Sequence, residues 1–209
     1  MRANESPATA GWMRGWALAL ALAALAPAAA GAAAWRPEVT GSFGGTFAVL
    51  GEPGGGGPSV DVGLLWPVDH GLSFGLGVLA DDLGQLEGRL LDPHDGTDLG
   101  AVGQQHRWTL GAVWRADLRL PAAVTEQVPI MAALHLEPFV SGTWGYYRIA
   151  DDVRGTRLGE TGSTGFSLGG GLRTPVGRSL SVGVTGRYHR LFNDRAGRYV
   201  SVGLDWSWR

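Results

Sequence analysis

Seven ionisable residues, Arg115, Asp117, Arg119, Glu137, Arg173, Arg187 and Asp205, fall at alternating positions inside short apolar stretches. Alternation puts such side chains on one face of an extended strand, and carboxylates gathered with guanidiniums on an enclosed face can do two kinds of work. They can neutralise one another as a structural plug, or line a narrow ion path with a gate. Asp61, His135 and His189 share the same parity in their own stretches and enlarge the set. Arg119 and Glu137, on neighbouring strands with Arg173 one strand further on, are expected to pair at one end.

Two other clusters carry donor atoms but the wrong pattern. Asp81, Asp82, Glu87, Asp92, His94, Asp95 and Asp98 offer oxygens of the kind calcium takes. The order Asp92-Pro93-His94-Asp95-Gly96-Thr97-Asp98 misplaces the glycine of a calcium loop and lacks its closing glutamate, so residues 81–105 read as a solvated surface loop. The glycine run at 54–57 has no lysine or helix start after it and reads as a flexible hairpin, not a phosphate cradle. The absence of cysteine removes disulfides, thiolate metal sites and lipoprotein acylation. A formal net charge of -2 supplies no single-sign field for nucleic acid. No metal or other cofactor is implied.

The elements that must position these residues are eight segments of period two, at 39–49, 59–66, 72–78, 108–120, 134–146, 166–173, 180–189 and 199–208. The last is the cleanest: Val200, Val202, Leu204, Trp206 and Trp208 alternate with Ser201, Gly203, Asp205 and Ser207. Ahead of them, Arg2 and Arg14 precede an apolar stretch at 16–26 that is too short to span a bilayer as a helix, and small residues follow. Residues 1–34 are therefore expected to be a signal peptide cleaved after Ala30 or Ala34, leaving one β-barrel domain at 35–209.

Alternation alone does not say which face is inside, because a soluble barrel alternates with its apolar face inward. The polar face here is mostly Gly, Ser and Thr with sparse opposite charges, which suits a narrow eight-stranded lumen better than a water-facing exterior. The apolar face is then expected to meet lipid. Connections beginning near Gly51, Asp81, Asp151 and Asn193 are expected to be the longer, external ones, and those near Pro67 and Thr174 short turns. Drawn this way, Trp66, Trp206 and Trp208 lie at one membrane rim and Trp108, Trp144, Tyr146 and Tyr188 near the other, while Trp114 falls mid-strand.

This pattern resembles the small eight-stranded outer membrane proteins of the OmpA membrane-domain, OmpX and OmpW type. Local echoes are Glu137-Pro138-Phe139-Val140 running to Gly145-Tyr146-Tyr147, and Gly169-Gly170-Gly171-Leu172 leading through Pro175 into Ser181-Val182-Gly183-Val184. The resemblance implies an all-β, eight-stranded antiparallel up-and-down transmembrane barrel in the outer membrane of a Gram-negative bacterium. It also implies contact with outer membrane lipids and lipopolysaccharide, and assembly through the C-terminal strand by the barrel assembly machinery. The expected role is structural or interactive, with exposed external loops; the alternative is a narrow channel for ions or small hydrophobic solutes. A lipid A-modifying enzyme is the weakest reading. The deacylase barrels need a His-x-Ser pair with a glutamate, whereas His189 is followed by Arg190 and Leu191, and Ser163 and Glu160 fall in the preceding external loop.

Overall fold

The computed structural model describes residues 36–49, 56–69, 71–86, 89–91, 98–101, 105–153, 156–192 and 197–209. The candidate signal peptide, Glu87, and the Asp92, His94 and Asp95 of the acidic loop lie outside them.

The alternating segments become strands β1 (Glu38–Ala48), β2 (Pro58–Asp69), β3 (Leu72–Leu86), β4 (Arg89–Leu91), β5 (Asp98–Ala101), β6 (Gln105–Arg119), β7 (Glu137–Val153), β8 (Thr156–Pro175), β9 (Leu180–Leu191) and β10 (Arg198–Trp208). Eight of them close a barrel in the order β1-β2-β3-β6-β7-β8-β9-β10, each antiparallel to its neighbours; β4 and β5 pair separately. The register Glu38, Leu65, Gly75, Arg115, Thr143, Ser167, His189, Tyr199 leads once round the wall and returns to β1 at Ala48. That displacement of ten residues, from 38 to 48, is the stagger of the barrel, and it requires strands tilted by about 35–45°. β1 starts and β10 finishes at one end, called the terminal end; the opposite end is the loop end.

The sequence's sorting of side chains holds in space. Phe43, Phe74, Leu76, Trp114, Val140, Leu168, Val184, Val202 and Leu204 are exposed on the outer wall, and Thr40, Ser42, Asp61, Arg115, Asp117, Ser141, Arg173, Thr185, Arg187 and Asp205 are buried in the interior. Two glycines show why this composition folds so. Gly71 takes φ +84° in the turn from β2 to β3, where a side chain would be strained. Gly111 faces inward opposite Tyr147, whose ring would lie 2.9 Å from an added Cβ, so the glycine makes room for a fully buried tyrosine.

Several boundaries differ from the sequence reading. β3 runs on to Leu86 and β6 starts at Gln105, so Asp81 and Asp82 belong to a strand rather than a loop. β7 and β8 rise as a long hairpin, so the connection after Asp151 is short, and Glu160 and Ser163 lie in a strand. Residues 121–129 belong to a connection with two helical turns, Ala122–Glu126 and Pro129–Ala133. Backbone bonds from Leu134 to Ile130 and from Leu136 to Met131 tie the next residues to the second turn, so β7 starts at Glu137. His135 is consequently exposed, at φ 50°, outside the interior set.

Candidate functional site

The interior is the only place where the fold gathers chemistry-bearing side chains in number among the described residues, and it is built in two storeys. The storey nearer the terminal end is ionic. Arg115 on β6 donates from Nε and Nη2 to Asp117 at 2.8 and 3.0 Å, and from Nη1 to Asp61 on β2 at 2.9 Å. Asp61 also accepts from Ser42 Oγ at 2.5 Å and from Arg187 on β9. Arg173 on β8 pairs with Asp205 on β10, approaches Asp117 at 3.6 Å, and lays its guanidinium over the Phe139 ring at 3.9 Å. At the mouth, Glu38 binds Arg119 and accepts from Arg209 Nε at 3.2 Å.

Arg115, Arg119, Arg173 and Arg187 thus face Glu38, Asp61, Asp117 and Asp205, four cations against four anions. A buried array of this kind survives only if nearly every charge is answered. Period two creates it because each inward position of a tilted strand projects into the same narrow space, so residues on opposite walls meet directly.

The storey nearer the loop end is aromatic and apolar. Leu79, Leu83, Val113, Tyr147, Ile149, Leu191 and Tyr199 form one buried cluster. Within it Asp81 accepts from Ser59 Oγ at 2.5 Å and Tyr199 Oη at 2.6 Å. The His189 ring stacks on Tyr199 with centroids 4.4 Å apart, and its Nε2 meets Ser201 Oγ at 2.9 Å. Above the cluster Arg107 holds Asp151 through two bonds of 2.6 and 3.1 Å.

Of the seven ionisable residues singled out by spacing, Arg115, Asp117, Arg173, Arg187 and Asp205 converge in the ionic storey. Arg119 reaches it at the mouth but meets Glu38, not Glu137, because Arg119 is in register with Phe139 and Glu137 with Arg173. Glu137 stands half-exposed at the rim, 3.9 Å from Arg209. Sequence reasoning missed Glu38, Phe139, Tyr147 and Tyr199, although their inward parity follows by counting in twos from Thr40, Ser141 and Ser201. Asp81 was missed because it was read as loop.

The serine–histidine contact of the interior, His189 with Ser201, lacks a carboxylate on the histidine's other nitrogen, since Nδ1 has no partner. Ser163 instead donates to the Thr164 carbonyl at 2.8 Å. On the outer surface Trp66, Trp206 and Trp208 lie toward the terminal end, and Trp108 toward the loop end donates to Asp152 at 3.1 Å. Tyr146 occupies the upper wall, but Trp144 is in register with Trp114 and Tyr188 with Leu168, nearer the middle of it.

No model of a known protein family matches the chain, and no curated protein does. Among solved structures it is similar to Neisserial surface protein A, at 14% identity and TM-score 0.51, over 82% of this chain and 94% of that one. The N-terminal β-barrel domain of Pseudomonas aeruginosa OprF aligns at 12% identity and TM-score 0.48, over 82% and 96% of the two chains. A major outer membrane protein of Thermus thermophilus aligns at 14% identity and TM-score 0.47, over 82% and 98%. At such identities the likeness is one of fold: the chain folds as a small eight-stranded outer membrane barrel does.

Proposed function

We propose that the chain is an integral barrel of the outer membrane of a Gram-negative bacterium, with a plugged interior and a structural or interactive role exercised from its loop end. The observation that carries this reading is the pairing of an apolar outer wall with a polar interior whose ionic storey is charge-balanced. Closing the sheet satisfies every strand's backbone groups, which lipid cannot do, and the outward side chains then supply the transfer energy. On this reading residues 1–34 direct export, membrane lipids including lipopolysaccharide surround the wall, and the assembly machinery engages the C-terminal strand β10. The interior is not a catalytic centre, because its serine–histidine contact is enclosed and incomplete; overexpression is expected to leave lipid A acylation unchanged.

One observation favours a second reading, a narrow channel for ions or small solutes. Thr40 Oγ1 and Ser207 Oγ near the terminal end, Arg187 Nη2 and His189 Nδ1 further up, and Thr109 Oγ1 near the loop end are buried without protein partners. Buried polar atoms of this kind take water, and a file of water is the first requirement of a conducting path. Two measurements separate the readings. Folded protein in unboiled gel samples should migrate apart from boiled protein, and the refolded barrel should show conductance near zero in planar bilayers. A monodisperse processed chain in detergent-free buffer refutes the membrane placement; steady single-channel currents replace the plug with the channel.

A further inference from the structure

The connection from β6 to β7 carries an apolar surface that the barrel itself does not cover. Its two helical turns, Ala122–Glu126 and Pro129–Ala133, are five residues each, no side chain caps the start of either, and the second buries no residue. Helices this short are marginal in water unless something packs against them. Val124, Val128, Ile130 and Leu134 all stand exposed, Ile130 at 65% and Leu134 at 55%. Glu126 and His135 are the only ionisable residues between Pro121 and Leu136. Grouped apolar side chains left in the open mark an interaction surface.

The register places this surface beside the outer wall. The mouth of the barrel at the terminal end is already filled by Glu38 with Arg119 and Arg209, and the connection is fastened elsewhere: Thr174 Oγ1 donates to the Leu134 carbonyl at 3.1 Å. Thr174 is in register with Val182, and Val182 with Trp206, so it shares their outward face. Because the strands tilt, a row drawn perpendicular to them climbs toward the loop end from β1 to β10, by about 1.25 residues per strand for a stagger of ten residues over eight strands. Over the two steps from β8 to β10 the climb is about 2.5 residues, which sets Thr174 level with Trp208. Leu118, the last outward residue of β6, leads through Val140, Gly170 and Gly186 to Val202, and a climb of about five residues sets it level with Trp206 and Trp208. The connection thus leaves and rejoins the wall at the depth of the terminal-end tryptophans, and tryptophans of this kind mark a membrane–water boundary.

We infer that the connection is an interfacial foot: residues 121–136 lie outside the wall along the leaflet at the terminal end, with Val124, Val128, Ile130 and Leu134 set among phospholipid headgroups and the upper part of the acyl chains. Continuity selects lipid as the cover, because Leu118, Val140 and Val182 stand exposed on the lipid-facing wall beside the two ends of the connection. Binding at that boundary strengthens with the apolar area inserted, and it supplies the packing that two short helical turns otherwise lack. The inference rests on the membrane placement proposed above.

The chain has no cysteine, so single cysteines report accessibility on the full barrel. V128C and, as a wall reference, V184C are refolded into phosphatidylcholine nanodiscs, which leave both faces open, and treated with a charged maleimide that stays in water. V128C should react far more slowly than in the urea-unfolded chain. Adding I130S/L134S should speed its reaction about thirtyfold, two half-inserted side chains at roughly 1 kcal/mol each. A V128C that reacts as fast as the unfolded chain overturns the foot and leaves a water-exposed patch for a soluble protein. Protection that persists in I130S/L134S also overturns it, since the barrel itself is then the cover. Each variant is checked for heat-modifiable migration, and I130S alone, with about a fivefold gain expected, repeats the test if the double variant does not fold. A fast V184C is the separate sign that the membrane placement has failed, and the foot falls with it.

Discussion

Asp61→Asn is the sharpest perturbation of the interior, because one carboxylate there accepts from Arg115, Arg187 and Ser42 together. The substitution keeps shape and removes one negative charge, so the four-against-four balance becomes four against three and two buried guanidiniums lose their shared counter-charge. Removing one partner of a buried ion pair costs about 3–5 kcal/mol, most of it the penalty of the charge left behind. Arg115 keeps its two bonds to Asp117, whereas Arg187 keeps only a 3.4 Å bond to Ser141, so the larger share should fall on Arg187. D61N/R187Q restores neutrality and should recover more than half of the loss, a coupling of roughly 1.5–3 kcal/mol in the double-mutant cycle. The assay is urea unfolding in lipid vesicles, followed by tryptophan fluorescence, with planar-bilayer conductance on the same preparations. A D61N loss below about 1 kcal/mol, or a double variant no more stable than D61N, would refute the claim that charge balance holds the interior together.

Val184→Arg places a charge on the outer wall between Leu172 and Leu204, and should cost about 2–4 kcal/mol in the same vesicle assay if that wall meets hydrocarbon. Leu110→Arg should cost only about 0–1 kcal/mol, because Leu110 is in register with Arg148 near the loop-end rim. Tyr199→Phe leaves Asp81 with Ser59 as its remaining hydroxyl donor and should lower stability by about 1–3 kcal/mol, whereas a null effect would mean that water replaces the phenol freely. Gly111→Ala brings a methyl within 2.9 Å of the Tyr147 ring and should cost about 1–3 kcal/mol, measured as a shift in urea midpoint without a change in slope.

What the sequence made legible was parity, and what it hid was stagger. Counting in twos from Arg115 or Ser181 puts every residue of those strands on its correct face, because each residue's direction depends only on its own strand. Depth is different. It depends on the displacement accumulated over all eight strands, which no single segment carries. The register sets Leu110 opposite Arg148 near the loop-end rim and Val184 between Leu172 and Leu204 lower on the wall, and it brings Trp144 down from the expected rim to stand beside Trp114. Cross-lumen partners are hidden for the same reason. Arg119 finds Glu38 across the mouth, a residue 81 positions away, rather than the Glu137 that looked adjacent in the hairpin. Asp81 shows a third limit: an acid-rich stretch reads as solvated loop, but counting on from Leu79 gives it inward parity, and the enclosed Ser59 and Tyr199 hydroxyls supply the hydrogen bonds water would have made.

The two storeys divide the work of a narrow barrel in a way that follows from its dimensions. An eight-stranded wall leaves room for side chains and little else, so an interior polar enough to keep alternation strict must satisfy its groups internally. Guanidiniums do this economically because each spans two acceptors: Arg115 joins Asp61 to Asp117, and Arg173 joins Asp205 to the neighbourhood of Asp117. Toward the loop end the strands continue but the ionic net stops, and Leu79, Val113, Tyr147, Ile149 and Leu191 close the space with apolar volume instead. An ion entering from the loop end therefore meets an aromatic and aliphatic stopper before it reaches the ionic net. Opening that net alone should leave the stopper in place, so conductance in D61N should stay low even as stability falls, and only a variant that also truncates Tyr147 or Tyr199 should pass current.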